Sequence, residues 1–548
     1  MPGRPISPES RRTSRSSEHT AAEPHGEEAD PDMMEREGDA LGRAEKGEME
    51  GREGGEDRDS GREGSRGGPA GDGLGEKGVG GGESAWKDGI VGWDGPDDPT
   101  NPKNWSFRRR YLLTALLGGT TMCSTFASSV FSSALPYVAA QYGVSEEVAT
   151  LGTSLFILGY VVGPIVFAPM SEVYGRKISI YLGVFIFICL SAETATAKDL
   201  QTIMVTRFFG GVGASAPPAV VAGALADMFE SRERGTAVVF YSLAIVSGPC
   251  IGPIIGSAVS STYLGWRWTM YLTVILSSVV GLLGLLIVPE TFAPALLTRK
   301  AKKLRFETGR WELHSTHEEN DFSFKHFAEK TLTRPLTMLY REPMVLCICL
   351  YNSFAYGILY LLFSAVPIVF EQNLGWTPVQ GSLPFLAVLV GTLTAGLINY
   401  LYSSKVFARY LDKHDNRAPP EMRLPPMMLG GILFPTGFML LGWASVAGKI
   451  VGLGFIGVSF LLIFQSGINY LIDAYTSNAA SAVAANTFTR SLFAAALPLV
   501  AQPLYHNLGT GFACTLLGCI AAVLAVVPFV FWKVGPKLRG MSKYAKAG

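Results

Sequence analysis

Long apolar runs almost free of charge alternate with short polar segments along most of the chain. Between Thr269 and Pro289, for example, 21 residues contain no charged side chain. That is about the length that a helix needs to cross a hydrocarbon core of roughly 30 Å. Twelve such runs occur, and each predicts one membrane-spanning helix. They cover residues 111–136, 148–170, 178–197, 201–226, 236–258, 269–289, 344–370, 383–403, 427–447, 450–472, 482–503 and 512–532.

The polar segment 290–342 is the longest one between two runs, and it follows the sixth. Two sets of six spans joined by a loop are typical of transporters built from repeats. The sequence therefore predicts an all-α membrane protein with twelve transmembrane helices in two six-helix halves. The predicted halves are 99–289 and 343–532, joined by the linker 290–342 and followed by a basic C-terminal segment, 533–548.

Composition separates the beginning of the chain from the rest. Of all 548 residues, 48% are hydrophobic and 17% are charged, and the mean hydropathy is +0.25. Residues 1–100 carry 25 acidic and 13 basic side chains, whereas the remaining residues carry 21 and 33. A glycine-rich acidic segment with few large apolar residues cannot bury enough surface to offset the entropy of folding. Residues 1–98 are therefore predicted to be a disordered cytoplasmic tail.

The basic residues between the spans predict the orientation. With a cytoplasmic N-terminus, the inward loops and the C-terminal segment contain 24 Lys and Arg side chains, and the outward loops contain only Lys198, Arg267 and Lys449. An excess of Lys and Arg on the cytoplasmic side is the usual rule for membrane proteins. Both termini are therefore predicted to be cytoplasmic.

The fifth span contains the run SGPCIGPIIG, with glycines and prolines each at four-residue spacing. Residues four apart lie on one helix face, so the glycines form a smooth stripe that another helix can approach closely. The prolines remove backbone donors beside it, which a membrane helix tolerates when its neighbours shield the freed groups. The predicted packing motif consists of Gly248, Pro249, Gly252, Pro253 and Gly256.

Polar and aromatic side chains at helical spacing suggest where a substrate binds. In alternating-access folds, the binding site lies near the bilayer midplane between the halves. Aromatic faces with a few amide groups suit flat, partly polar organic molecules. Hydrogen bonding between helices is the alternative role for each of these side chains. The candidates are Tyr241 in span 5, Asn352, Tyr356 and Tyr360 in span 7, Gln465 and Asn469 in span 10, and Asn486 in span 11.

Charged residues near the span ends are candidates for proton coupling and for a charge network. A coupling carboxylate must be partly buried so that it can exchange protons at the working pH. Asp473 is the first choice because it continues the stripe of Gln465 and Asn469, and interfacial ion pairing is the alternative role for each member. Arg207, in span 4, is a functional candidate or a side chain that snorkels to the interface. The full set is Glu172, Arg176, Arg207, Asp227, Asp473 and Arg490.

Several of these segments together resemble the twelve-span drug:proton antiporter branch of the major facilitator superfamily, in its fungal form. The resemblance covers roughly residues 98–540. It rests on Asp98–Ser106 (DPTNPKNWS), Ala168–Lys177 (APMSEVYGRK), Arg207–Gly213 (RFFGGVG), SGPCIGPIIG, Trp266–Trp268 (WRW), Pro289–Thr291 (PET) and Asn486–Ser491 (NTFTRS).

The chain departs from the family pattern in two places. Ala168 stands where members usually have Gly, and Glu172 where they often have Asp. The second half has no clean copy of the 168–177 loop, because 403–426 is longer. An ion pair at these loops that forms in one conformation and breaks in another is therefore predicted to differ between the halves.

The resemblance implies export of small organic compounds, such as drugs, toxins or secondary metabolites, in exchange for protons. A polyamine or other organic-cation carrier and a proton-independent facilitator are alternatives, and a non-transporting receptor or scaffold is a further one. The expected partners are a small organic substrate, protons and the lipid bilayer, with no nucleic acid and a functional monomer. The plasma membrane is the expected location, with vacuolar or vesicular membranes as alternatives.

An enzyme is not predicted. The glycines at 210–213 lack the Lys-Ser/Thr that follows in a nucleotide-binding loop. All seven cysteines fall within predicted spans, where they behave as small apolar residues. No metal or cofactor is expected.

Overall fold

The computed structural model describes residues 89–319, 333–414, 418–542 and 544–545. The predicted disordered tail therefore lies outside the described residues, except for its last part. The described chain is helical apart from turns and one isolated backbone pairing between Ile90 and His314. Twelve long helices match the twelve predicted runs, which confirms the predicted all-α architecture. They are α1 Phe107–Val130, α2 Glu146–Val173, α3 Arg176–Thr196, α4 Leu200–Met228, α5 Ser231–Ser260, α6 Arg267–Ile287, α7 Pro343–Pro367, α8 Phe385–Leu401, α9 Pro425–Trp443, α10 Val446–Ala474, α11 479–508 and α12 510–541.

Ten helices among the described residues are long and apolar enough to cross a membrane. One of them, Ala479–Met541, contains non-helical backbone at Gly509, whose φ is +73°. Because glycine adopts positive φ without steric cost, the kink divides this helix into α11 and α12. Helix α12 continues to Met541, so it extends into the predicted basic C-terminal segment.

Helix α1 is long enough to span a membrane but is more polar than the other spans. Its buried face carries many hydroxyl side chains, which bond to carbonyls of their own helix. Thr121, for example, donates to the Leu117 carbonyl at 3.0 Å, and Thr125 donates to the Thr121 carbonyl at 3.2 Å. Such bonds satisfy the hydroxyl groups locally, so a polar helix can lie inside an apolar bundle.

The two halves repeat the same packing. Helix α1 packs along α5 and α2 along α4, and in the second half α7 packs along α11 and α8 along α10. The halves meet where α2 contacts α11 and α5 contacts α8. This arrangement places α1 and α7 at the centre, where Ser128 and Tyr360 lie within hydrogen-bond distance.

The bundle has two ends, because successive spans run in opposite directions. At the end that carries the linker, called the linker end, Arg110 at the start of α1 donates to the Met228 carbonyl at the end of α4, at 3.4 Å. At the opposite end, called the far end, Arg267 at the start of α6 donates to the Ala197 carbonyl after α3, at 2.9 Å.

The described part of the predicted tail packs against the linker. Val91 is buried against Ala301 of the linker helix Ala293–Thr308. Lys300 of the same helix forms an ion pair with Asp94, with 2.7 Å between Nζ and Oδ1. The residues just before α1 are therefore attached to the segment that joins the two halves.

Asp98 begins the sequence motif that precedes α1. Burial works against ionisation of this carboxyl group, but hydrogen bonds from the Thr100 side chain and from the backbone of Asp94 and Thr100 lower its pKa, with the nearby Lys300 in support. The Thr100 hydroxyl donates to Oδ1 at 2.6 Å. Asp98 therefore stays ionised and organises the turn that leads into α1.

Candidate functional site

Aromatic rings and hydroxyl groups converge at the centre of the bundle, where α7 faces α1 and α10. The Tyr360 hydroxyl lies 3.0 Å from the Ser128 hydroxyl across the boundary between the halves. One turn earlier, the Tyr356 ring stacks on Phe464, with 5.9 Å between centroids, and the two tyrosine hydroxyls are 3.5 Å apart. The predicted span 7 face thus forms part of the contact between the halves.

Two asparagines from different helices meet next to these aromatic rings. Asn352 Nδ2 donates to Asn486 Oδ1 at 3.2 Å, and both side chains are fully buried. Asn352 Oδ1 and Asn486 Nδ2 have no partner among the described residues. Gly467 of α10 lies close by, and a Cβ there would be 2.6 Å from Asn352 Oδ1. The pair therefore has one free acceptor and one free donor in a tight space.

The remaining substrate-binding candidates lie on helices that surround this centre. Gln465 Oε1 accepts a hydrogen bond from Asn399 of α8 at 3.1 Å. Asn469 is half-buried one turn later on α10, and Tyr241 is buried on α5. Gln465 thus makes a hydrogen bond between helices, which is the alternative role stated for these candidates. Its part in substrate binding stays a prediction.

Arg207 lies inside the first half rather than at a lipid interface. Its side chain is 2% exposed. Nε donates to the Gly152 carbonyl and Nη1 to the Ala127 carbonyl, both at 3.0 Å. The guanidinium carbon lies 4.2 Å from the centre of the Phe156 ring. Backbone carbonyls and an aromatic face therefore stabilise this charge, which does not fit the snorkelling alternative.

Arg490 has a different environment, beside the central rings. Its guanidinium carbon lies 4.8 Å from the Tyr356 ring centre and 5.2 Å from that of Phe464. Nε is buried without a hydrogen-bond partner in the described part of the chain. The central site thus contains a cation that lies against two aromatic faces, and this gives it a positive potential.

The glycine stripe of α5 packs directly on α1. A Cβ at Gly248 would lie 2.8 Å from the Met122 carbonyl, and one at Gly252 would lie 3.0 Å from the Val130 amide nitrogen. A Cβ at Gly256 would lie 2.8 Å from the Val130 carbonyl. Pro249 and Pro253 lie inside the helix beside these glycines. Only glycine allows the two backbones to approach this closely.

At the linker end, Arg176 and Asp227 form an ion pair, called the N-half ion pair. Arg176 is the first residue of α3, and its Nε lies 3.1 Å from Asp227 Oδ2 near the end of α4. Arg176 Nη1 also donates to the Ser171 hydroxyl at 2.8 Å. Glu172 is exposed and makes no ion pair among the described residues. Its part in the network stays a prediction, and Asp227 is the carboxylate that contacts the Arg176 guanidinium.

Glu290 connects the end of α6 with the start of α3. Its carboxylate accepts hydrogen bonds from the backbone N–H of Arg176 at 2.9 Å and of Lys177 at 3.2 Å. Gly175, with φ of +102°, brings the chain close to this carboxylate. A negative charge at a helix N-terminus satisfies free donors and interacts favourably with the helix dipole. The side chain is 4% exposed, so the contact is buried.

The second half has a corresponding pair between Arg423 and Asp473, called the C-half ion pair. Arg423 precedes α9, and its Nε lies 2.7 Å from Asp473 Oδ2 near the end of α10. Asp473 is thus paired at the linker end, one turn beyond Asn469. Glu421 instead accepts two hydrogen bonds from Arg539 of α12, both at 3.1 Å.

Ser128 and Arg423 were not singled out in the sequence, and Glu290 was named only as part of the motif Pro289–Thr291. Ser128 lies on the hydroxyl-rich face of α1, whose regular spacing was the available signal. Glu290 and Arg423 follow or precede spans, and nothing in local spacing shows which helix end they contact. No group of three or more possible metal-ligating side chains occurs in the part of the chain that the structure describes.

The sequence profile of the Major Facilitator Superfamily matches residues 117–498, which includes α2 to α10 and most of α1 and α11. The chain belongs to the major facilitator superfamily. It is therefore a multi-pass membrane transporter, as the resemblance of its motifs to this superfamily implied.

Two fungal relatives match more than four-fifths of the chain. One, an efflux pump of Gibberella fujikuroi, is 40% identical over 470 residues, which cover 85% of this chain and 96% of the relative. The other, a major facilitator superfamily multidrug transporter of Candida albicans, is 39% identical and covers 83% of this chain and 76% of the relative.

A solved structure of a proton:xylose symporter of the superfamily supports the fold. It aligns with a TM-score of 0.56 and 18% identity over 78% of this chain and 96% of its own. At this identity the similarity supports only the arrangement of the helices.

Proposed function

We propose that this protein exports small organic compounds in exchange for protons by alternating access. The hydrogen bond between Ser128 of the first half and Tyr360 of the second carries the proposal. It places a polar contact between the halves, beside the aromatic rings of Tyr356 and Phe464. A substrate that inserts there would replace contacts between the halves, so binding and the relative movement of the halves would be coupled.

The chemistry of the central site supports flat, partly polar organic molecules as substrates. Aromatic faces supply a large contact area, and the Asn352–Asn486 pair supplies one free acceptor and one free donor. A small number of polar groups in an aromatic site fixes orientation and still tolerates variation in shape. A drug, a toxin or a secondary metabolite has this character, and the relatives named as an efflux pump and a multidrug transporter support export.

Proton coupling is proposed for the carboxylates at the linker end. Asp227 and Asp473 each pair with one arginine near the end of the fourth helix of its half. Protonation of either aspartate would weaken its ion pair and release the adjoining helix ends. Arg207 and Arg490 would balance charge during the cycle. The substrate site and the proton sites thus lie at different depths of the bundle.

The proposed setting follows from the distribution of basic residues. The linker end carries most of the Lys and Arg residues, so we place it and both termini on the cytoplasmic side. The plasma membrane fits a toxin exporter, and vacuolar or vesicular membranes are the alternatives. A monomer contains both halves and therefore a complete central site.

Vesicles reconstituted with the purified full chain test the proposal. A growth-protection screen first selects a toxic aromatic compound, and its transport is then followed with an imposed proton gradient. We expect transport that stops when a protonophore collapses the gradient. Transport that continues unchanged would indicate a facilitator, and no transport of any selected compound would contradict the exporter.

Two variants of Tyr360 test the location of the site. Tyr360→Phe keeps the ring and loses the hydroxyl that contacts Ser128, whereas Tyr360→Ala also removes the aromatic face. We expect Tyr360→Ala to raise the KM more than Tyr360→Phe does, because most of the contact area with a flat molecule is lost. Unchanged transport in both variants would place the substrate elsewhere.

A further inference from the structure

A cavity of about 180 Å³ opens between the halves at the far end of the bundle. Its wall combines the segment after α1, the start of α2 and the end of α5 with the end of α7, the start of α8 and α11. Two carboxylates line it from opposite halves, Glu146 of the first and Glu371 of the second. The central site described above lies deeper in the bundle.

Glu371 has no counter-charge in the described part of the chain, where neither an ion pair nor a side-chain hydrogen bond engages its carboxylate. It lies in a π-helical stretch, Ile368–Gln372, directly after α7. Gly381 makes room for it, since a Cβ there would lie 2.7 Å from Glu371 Oε1. Widened helical turns of this kind occur frequently at functional sites. A half-buried carboxylate without a cation is costly, and a bound cation would offset that cost.

Glu146 is held in place by the other half of the molecule. Gln502 Nε2 of α11 donates to Glu146 Oε2 at 2.6 Å. The second carboxylate oxygen of Glu146 has no hydrogen-bond partner among the described residues, and the residue lines the cavity. The two acidic groups are therefore presented by both halves at once, and their negative charges repel each other.

Neutral acceptors add to the two carboxylates. Ser364 also lines the cavity and is 9% exposed, and its hydroxyl has no hydrogen-bond partner among the described residues. Pro367 has no N–H, so the Phe363 carbonyl one turn earlier lacks its usual helical donor. No Lys, Arg or His is among the described residues that line the cavity. The wall is thus rich in acceptors and contains no cation.

Aromatic rings distinguish an organic cation from an inorganic one. Phe363 and Phe385 line the cavity and contact each other, with 5.7 Å between ring centres, and Tyr137 lines the opposite side. Ammonium groups are attracted both to carboxylates and to aromatic faces. A small inorganic cation would use the carboxylates but would gain little from three rings.

We propose that the far-end cavity is a binding site for a small organic cation, a protonated amine or a quaternary ammonium, between Glu371 and Glu146. That this cation is cargo on its way out rests on the proposed export function. Arg490 makes the deeper site positive, whereas the far-end cavity is negative, so the potential along the path favours movement of a cation towards the far end. The same difference in electrostatic potential opposes the return of the cation to the central site.

Equilibrium binding of benzyltrimethylammonium to the purified full chain tests the site directly. This probe combines a permanent positive charge with one aromatic ring. We expect Glu371→Gln to weaken binding about tenfold, because a charged partner is lost. Glu371→Asp keeps the charge and should retain most of the affinity. Gly381→Val keeps both carboxylates but displaces Glu371, and should weaken binding nearly as much as Glu371→Gln.

Glu147→Gln is the matched control, since Glu147 is the exposed neighbour of Glu146 and does not line the cavity. It removes the same charge from the same helix turn and should leave binding unchanged. The thermal unfolding midpoint of each variant separates a lost site from a misfolded protein. Equal binding by the folded Glu371→Gln variant and the parent chain would overturn the proposal, and so would displacement of the probe by an equal concentration of Na⁺.

Transport of the selected toxic compound in the same vesicles separates the two proposals. Binding that depends on Glu371, together with gradient-driven transport, supports both. Binding without any transport supports the cation site and contradicts the exporter. Transport without cation binding supports the exporter and overturns the cation site.

Discussion

The two halves contain the same ion pair at the same place, but they surround it differently. Asp227 and Asp473 both lie near the end of the fourth helix of their half, and each meets an arginine close to the start of the third. The side chains of the N-half ion pair are 14% and 18% exposed, against 24% and 31% in the C-half ion pair. The first pair is therefore less screened by solvent.

Near each ion pair, a second contact joins the third and sixth helices of the half, but the acid lies after the sixth helix in one half and before the third in the other. Glu290, after α6, binds backbone N–H groups at the start of α3. In the second half the acid is Glu421, before α9, and the sixth helix contributes the cation Arg539. Helix α9 begins with two prolines, which have no N–H to offer a carboxylate. The third and sixth helices are thus connected by a helix cap in the first half and by a side-chain ion pair in the second.

The largest expected effect is the loss of the N-half ion pair. Arg176→Ala leaves Asp227 partly buried without its cation, which should cost about 2 to 3 kcal/mol and lower gradient-driven export at least about tenfold. Lys177→Ala is the control, because only the backbone N–H of Lys177 contacts Glu290. An equal loss of export in both variants would show that the pair itself is not required.

The two acids should differ in their effect on stability. Glu421→Gln removes the charged partner of two hydrogen bonds from Arg539, a loss of about 2 kcal/mol. Glu290→Gln keeps an oxygen acceptor for the Arg176 N–H but loses the charge and the acceptor for the more distant Lys177 N–H, which should cost about 1 kcal/mol. Thermal unfolding midpoints of the two variants measure the difference. A greater destabilisation by Glu290→Gln would contradict the comparison.

Charge exchange tests whether each pair acts through charge alone. Arg423→Asp and Asp473→Arg should each lower export about threefold, since partly exposed pairs contribute up to roughly 1 kcal/mol. The double variant should recover most of the export. The same exchange at Arg176 and Asp227 should not, because Arg176 also donates to the Ser171 hydroxyl, and Arg423 has no corresponding bond among the described residues. Recovery of export by the double variants of both halves would contradict the proposed difference between the two ion pairs.

Much of the fold follows from the sequence, because each span is a long run with little charge. The glycine stripe of α5 could likewise be recognised, since spacing along one helix defines its face. Pairings between distant segments could not be predicted in this way. The sequence showed that Asp227 lies near the end of a span and that Asp473 lies on a polar stripe, but it did not show which side chains face them. The register and rotation of one helix against another depend on packing over the whole bundle.

The difference between the halves also shows why a loop without the family pattern can keep the same ion pair. The 403–426 segment is longer than the 168–177 loop and overlaps a π-helical stretch, Tyr402–Phe407. Arg423 nevertheless reaches Asp473, with its guanidinium carbon 3.6 Å from the centre of the Phe407 ring. The position of a charge at the end of a loop thus matters more here than the composition of the loop.

The smallest expected effect concerns the prolines that begin α9. Pro425→Ala alone should change the free energy of unfolding by about 0.5 kcal/mol or less, because proline at a helix start removes only a donor that is free in any case. The informative measurement is made in the Arg539→Ala background, where Glu421 has lost its cation. There, replacing both Pro425 and Pro426 by Ala supplies two N–H groups, and Glu421 should cap α9 as Glu290 caps α3. We expect a recovery of about 0.5 to 1 kcal/mol in thermal unfolding. No recovery would mean that the prolines are not the reason why Glu421 bonds to Arg539 rather than to the start of α9. The position of Glu421 relative to the axis of α9 would then be the reason.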